Sequence, residues 1–243
     1  MALRHDQQIG FPVQFAAGLI GSLAHIALMA VLMIQPEGID FSLLKSVSMM
    51  LAVTVLVVSV SSQRYAIQTA QLLLMPAAAA LAIFSLVAPS SRELLELSIG
   101  TFAHIILSVL AYGAFTIAAV MALLLNYLSA RLKDHKLTSL VKNIPPAESL
   151  ESLLFELLSL AAILLGLSII SGFIFVDDFF AQHLIHKSVL SILALIIYST
   201  ICVGHWHKGW RGRRVMRWIF GAYASLTLAY VGSKFVLEWI LAS

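Results

Sequence analysis

The chain has 243 residues, 60% of them apolar and only 11% charged, against about 45–50% and about 25% for soluble domains. Twenty-seven charged side chains (15 Lys and Arg, 12 Asp and Glu) are too few to cover a water-facing surface, which excludes a soluble enzyme, a disordered chain and a nucleic-acid-binding domain. The formal net charge of +3 comes from short basic loops and is better explained by membrane topology than by a nucleic-acid partner.

In chain order, seven stretches are long and apolar enough to span a bilayer core, which takes about 20 residues. They are residues 11–34, 41–60, 66–88, 97–130, 153–176, 188–204 and 215–236. The first, third, fourth and sixth carry no Asp, Glu, Lys or Arg. Lys45, Glu156, Arg217 and Lys234 stand near the ends of the others. The first is too long for a cleavable signal peptide, and none is expected. The fourth, roughly 34 residues or about 51 Å of helix, overshoots the core and is expected to run on into solvent. Pro145 and Pro146 then stop one element and introduce the next. The expected fold is an all-α polytopic membrane bundle of seven transmembrane helices, one integral domain over residues 1–243.

Basic residues orient it. With the N-terminus inside, the inner loops hold Arg4, Arg64, Arg131, Lys133, Lys136, Lys142, Lys208, Arg211, Arg213, Arg214 and Arg217, while the outer side keeps Lys45, Arg92, Lys187 and Lys234. The positive-inside rule then puts the C-terminus outside. Trp206, Trp210 and Trp218 flank the most basic loop, as an inner aromatic belt would, and Trp239 would mark the outer belt.

Two histidines fall at membrane depth, where an ionisable group is by default a functional candidate. His25 sits about 13 Å below the outer end of the first span and His104 about 10 Å below that of the fourth. Two imidazoles at similar depth on separate helices suit axial ligation of one haem iron. The competing reading is that each hydrogen-bonds a neighbouring helix. Ala24, Ala27, Ala103 and Ser108 beside them are small enough to admit a flat macrocycle. In the outer loop, His183 and His186 lie three apart near Asp177 and Asp178, a weaker candidate pair for a metal or haem. The competing reading there is an amphipathic surface helix carrying Phe173, Phe175, Phe179 and Phe180. Lys234 and Glu238 read as a local ion pair or snorkelling residues, Gln71 and Glu156 as packing or boundary residues, and Cys202, the only cysteine, as a buried inert thiol. No CxxC, CxxCH, nucleophile set, phosphate loop or zinc motif is present, so a non-enzymatic role is expected.

Several segments resemble a known family. Leu107-Ser-Val-Leu-Ala-Tyr112-Gly-Ala-Phe-Thr after His104, His186-Lys187-Ser-Val-Leu-Ser191, Gly209-Trp210-Arg211-Gly212-Arg213-Arg214 and Leu228-Ala-Tyr230-Val-Gly232 are similar to segments of cytochrome c assembly (CcsA/CcmC-type) membrane proteins, in particular their bacterial inner-membrane YpjD-like subgroup. The resemblance implies a multi-pass inner-membrane protein that handles haem, b-type, with His25 and His104 matching the family's transmembrane histidines. Three departures are expected. Residues 177–186 replace the family's tryptophan-rich outer segment and contain no Trp. The histidine after the last family helices has no counterpart, and one N-terminal helix of the subgroup is missing. The leading expectation is therefore haem held by transmembrane histidines, with lipid and haem as partners and no nucleic acid. The alternative is a haem-free accessory or regulatory subunit bound to another membrane protein. A small-solute transporter is disfavoured, because neither inverted repeats nor glycine-broken helix pairs are evident.

Overall fold

A computed structural model describes residues 3–36, 38–63, 65, 67–87, 98–133, 146–175, 185–236 and 238. Helix α1 (Leu3–Met33) leads through a short antiparallel hairpin, Ile34–Gln35 with Gly38–Ile39, into α2 (Leu43–Ser61) and α3 (Gln68–Leu86). Then come α4 (Ile99–Lys133), α5 (Ala147–Phe175), α6 (Ile185–Lys208) and α7 (Arg213–Thr227). The last helix changes to π hydrogen bonding over Leu228–Gly232 and returns to α geometry at Ser233–Phe235. Six helices, α1 to α6, are long and apolar enough to cross a membrane. The seventh expected stretch is helical too, but its path is interrupted by the π turn, and Arg213, Arg214 and Arg217 crowd its first turns. The expected all-α polytopic bundle is what forms.

The outer helices bury a narrow stripe and turn their other residues outward, where lipid satisfies apolar side chains, while α2 and α4 bury about half of their spans. On α1 the stripe is Gly18, Ser22, His25, Met29 and Met33, with Val13, Ile20 and Val31 exposed. On α4 it runs through Ala111, Phe115, Ala118, Ala122 and Leu125, and on α5 through Leu150, Leu154, Leu158, Ala161 and Leu165. The spacing of three and four is that of one helical face. The α4 and α5 stripes face each other in the most extensive helix pair of the bundle. Helix α2 packs on α1 and α3 and also on α4, joining the N-terminal helices to a second group made of α4 to α7. Close approach there depends on Gly113, whose added Cβ would stand 3.0 Å from Thr54 Oγ1.

A bilayer offers no water to unpaired polar groups, and the chain satisfies many of them internally. Thr54, Ser59, Thr116, Ser129, Ser159 and Thr227 bond the carbonyl four residues back. Tyr112 and Tyr198 reach across to the backbone carbonyls of Leu226 (2.6 Å) and Ile219 (3.3 Å), and Tyr198 stacks on Phe115 at 4.0 Å. Gln71, fully buried, donates to the Gln14 carbonyl and to Ser59 Oγ, tying α3 to α1 and α2. It is a packing residue, as expected. Glu156 is exposed and accepts from Ser152, and Cys202 is a buried free thiol.

Charged groups are handled at the hairpin end. Lys45 is buried, its Nζ 2.5 Å from Asp40 Oδ2, while Asp40 Oδ1 accepts the Ser42 N–H at 2.9 Å in a turn that opens α2. Lys234 and Glu238 form the expected ion pair at 3.3 Å. They also do more than a local pair. The Glu238 carboxylate accepts the Leu43 N–H (2.8 and 3.0 Å) and Lys234 donates to the Phe41 carbonyl. A carboxylate at a helix N-terminus meets free N–H groups and the positive end of the helix dipole, so the end of the chain caps the start of α2.

Candidate functional site

His25 is buried on α1 and His104 is half-buried on α4, and each is claimed by a serine-bearing neighbour. On α1, His25 Nε2 is 2.7 Å from Ser48 Oγ of α2. On α4, His104 Nδ1 is 2.8 Å from the Ser168 carbonyl of α5 and 3.3 Å from Ser171 Oγ. Ser108, one turn on from His104, bonds Ser168 Oγ at 2.7 Å, and Ser171 Oγ donates to the Ser168 carbonyl at 2.8 Å. The interhelical hydrogen bonding that competed with iron ligation in the sequence is therefore present at both histidines. The two imidazoles are not bonded to each other. His25 faces α2 and His104 faces α5, and α2 packs against both α1 and α4.

The two contacts differ chemically. A carbonyl oxygen only accepts, so His104 Nδ1 must carry the proton, and its Nε2 then keeps the lone pair. Metal-binding histidines are commonly oriented in this way, with the other ring nitrogen donating to a carbonyl or carboxylate. Ser48 Oγ can donate or accept, so His25 has no fixed tautomer, and its Nε2 is already engaged. The Nδ1 contact thus gives His104 the tautomer that an iron ligand uses. At His25, ligation requires Nδ1 or release of Ser48.

Of the small neighbours, Ala24, Ala27 and Ala103 lie on exposed surface, and Ser108 is part of the serine cluster at the α4–α5 seam. The other candidates are less defined. His183, Asp177 and Asp178 lie outside the described residues, as does Trp239, and His186 falls in the first turn of α6. Serines 48, 168 and 171 carry the histidine contacts but were not singled out from the sequence. The signal available was the spacing of 168, 171 and 172 on the buried stripe of α5.

At the opposite end of the bundle from His104, the turn between α6 and α7 is tightly built. Gly209 adopts φ +63°, its N–H and that of Trp210 bond the carbonyls of His205 and Gly204, and His205 Nδ1 donates to the Trp210 carbonyl at 3.0 Å. The Trp210 ring lies over Gly204, where a Cβ would stand 2.3 Å from Cε3, and His205 stacks on Phe155 at 3.4 Å. This turn contains the basic Gly-Trp-Arg-Gly-Arg-Arg run noted in the sequence.

Known proteins bear on both regions. Inner membrane protein YpjD of Escherichia coli (strain K12) is 38% identical over 146 residues, 60% of this chain and 55% of that protein. An uncharacterized 28.8 kDa protein in nifR3-like 5'region of Azospirillum brasilense is 31% identical over 140 residues, 57% of this chain and 52% of that protein. The matching part thus spans about half the length of these curated relatives. No solved structure matches. The chain is a multi-pass inner-membrane protein, with six apolar helices and a relative of that location. The family described as Cytochrome C assembly protein matches residues 14–241, a stretch that takes in both histidines, the serine cluster and the basic turn, and the chain belongs to that family.

Proposed function

We propose that the protein holds haem, b-type, within the membrane through His104 and His25, and that it binds haem rather than catalysing a reaction. The observation that carries this reading is the His104 Nδ1 bond to the Ser168 carbonyl, which leaves the lone pair of the neutral ring on Nε2 and orients the ring. Family membership supplies the ligand class. When bound, haem would bring an iron centre able to change oxidation state. The chain's own residues orient the His104 imidazole through Ser168 and Ser171 and engage His25 through Ser48. Haem titration of the purified chain in detergent tests the reading. A saturable Soret band at about one haem per chain is expected, and no saturable band overturns it.

A second reading, a haem-free accessory subunit of a membrane complex, has its own support. Both imidazoles already serve as interhelical hydrogen-bonding groups, a use that needs no cofactor.

The orientation belongs to the same proposal. The distribution of Lys and Arg puts the N-terminus and the α6–α7 turn in the cytoplasm and the C-terminus in the periplasm. A reporter inserted between residues 133 and 142 should read as cytoplasmic, and one fused after Ser243 as periplasmic. Reversed signs at the two positions would rule the orientation out.

A further inference from the structure

Beside the α6–α7 turn, a groove of about 760 Å³ opens on the side of the bundle. Its floor includes Ile197 and Ile201 of α6. Trp210 and Trp218 also line it, as do Arg211 and Arg214 with Thr200 and Val215. Ile196 and Val203, on the same helix as its apolar lining, are 58% and 57% exposed. The charge around it is mostly positive. Residues 205–218 carry Lys208, Arg211, Arg213, Arg214 and Arg217 and no Asp or Glu, and one carboxylate, Glu151, approaches from α5. Arg211 reaches Glu151 only at 3.5 Å with its side chain 68% exposed, and Arg214 makes no ion pair among the described residues. The rim is also held in place by the backbone bonds of the turn and by the seat of Trp210 on Gly204.

We propose that this groove binds one anionic glycerophospholipid, its phosphate between Arg211 and Arg214 and an acyl chain along Ile197 and Ile201. Three features select that occupant. Guanidinium groups match phosphate oxygens in a bidentate way. Tryptophan indoles favour the headgroup depth at which a phosphate sits. Basic pockets between membrane helices bind anionic headgroups. A soluble anion would use the arginines but not the apolar floor, and a zwitterionic lipid would use the floor but gain little from unbalanced positive charge. The inference is independent of haem, which would sit toward the other end of the bundle.

Native mass spectrometry of the detergent-purified full chain, titrated with phosphatidylglycerol or phosphatidylcholine, tests it. The wild-type chain should retain phosphatidylglycerol preferentially. At about 1 kcal/mol per basic residue near the surface, roughly fivefold for each arginine, Arg211→Gln with Arg214→Gln should weaken that retention by roughly 20–30-fold and leave phosphatidylcholine retention unchanged. Arg131→Gln, on α4, should change neither. Ile197→Trp, which fills the floor and keeps both arginines, should also lose phosphatidylglycerol, giving a second route should the double variant fold poorly. Equal retention of the two lipids by the wild type, or undiminished phosphatidylglycerol in the Ile197→Trp chain, would overturn the site. Displacement of the lipid by millimolar inorganic phosphate would overturn it in favour of a free-phosphate site.

Discussion

Replacing His104 with alanine should abolish saturable haem binding, whereas replacing Ser48 with alanine should preserve or tighten it. His104 is the imidazole whose protonation is set by its surroundings, because Nδ1 faces a carbonyl that can only accept. Its removal takes away the ligand itself, so the loss should exceed the roughly 10–100-fold cost of losing an outer-shell partner of a metal ligand. Ser171→Ala removes one neighbour of Nδ1 and keeps the Ser168 carbonyl, so its effect should be smaller than that of His104→Ala. Ser48 competes for His25 Nε2, and its loss frees that nitrogen. Absorbance during haem titration of the wild type and of the His104→Ala, Ser171→Ala, Ser48→Ala and His25→Ala proteins measures these effects. A Soret band of wild-type height and affinity in His104→Ala would remove His104 as a ligand. Tight binding by the wild type with unchanged binding in His25→Ala would leave His104 as the sole transmembrane ligand.

Asp40→Asn should destabilise the fold, by up to about 3–5 kcal/mol, the usual cost of removing one partner of a buried ion pair. Both side chains are almost fully removed from solvent, at 6% for Lys45 and 0% for Asp40, with 2.5 Å between Nζ and Oδ2. The amide of asparagine still offers an oxygen to the Ser42 N–H that Asp40 Oδ1 accepts, so the substitution isolates the charge from the turn. Adding Lys45→Met should recover most of the loss, because a buried ion pair and an apolar replacement of similar volume are often close in stability. Thermal unfolding in detergent, read as the temperature at which the monodisperse peak disappears in size-exclusion chromatography, checks both. An unchanged midpoint in Asp40→Asn would mean that Lys45 reaches water or another acceptor once the carboxylate is gone.

These two predictions mark the limit of what could be read from residues in order. The buried stripe containing His104 was legible, since 104, 108, 111, 115, 118 and 122 recur at helical spacing. The partner of His104 was not, because Ser168 and Ser171 lie 64 and 67 residues away and serine is common on membrane helices. Lys45 could be placed near the end of its span but not assigned to Asp40, because that pairing depends on the hairpin and the turn at Ser42. The Lys234–Glu238 pair was legible from its spacing of four. Its contact with the start of α2 crosses 195 residues and follows only from the two helix ends meeting.

The sequence by itself determined the class of molecule and the number and approximate limits of its helical segments. These follow from local physics. A run of about 20 apolar residues must satisfy its backbone internally and so becomes a helix. Tertiary structure alone decided which helices touch, and with that which polar side chains find partners. It turned Ala24, Ala27 and Ala103 outward, paired His25 with Ser48, fixed the proton of His104 through Ser168, and folded Trp210 over Gly204 beside two arginines. The reason is that apolar composition is nearly uniform around these helices. With lipid as apolar as the bundle interior, hydrophobicity cannot choose the packed face, and the choice passes to small residues and hydrogen-bonding groups that meet only once the helices are side by side.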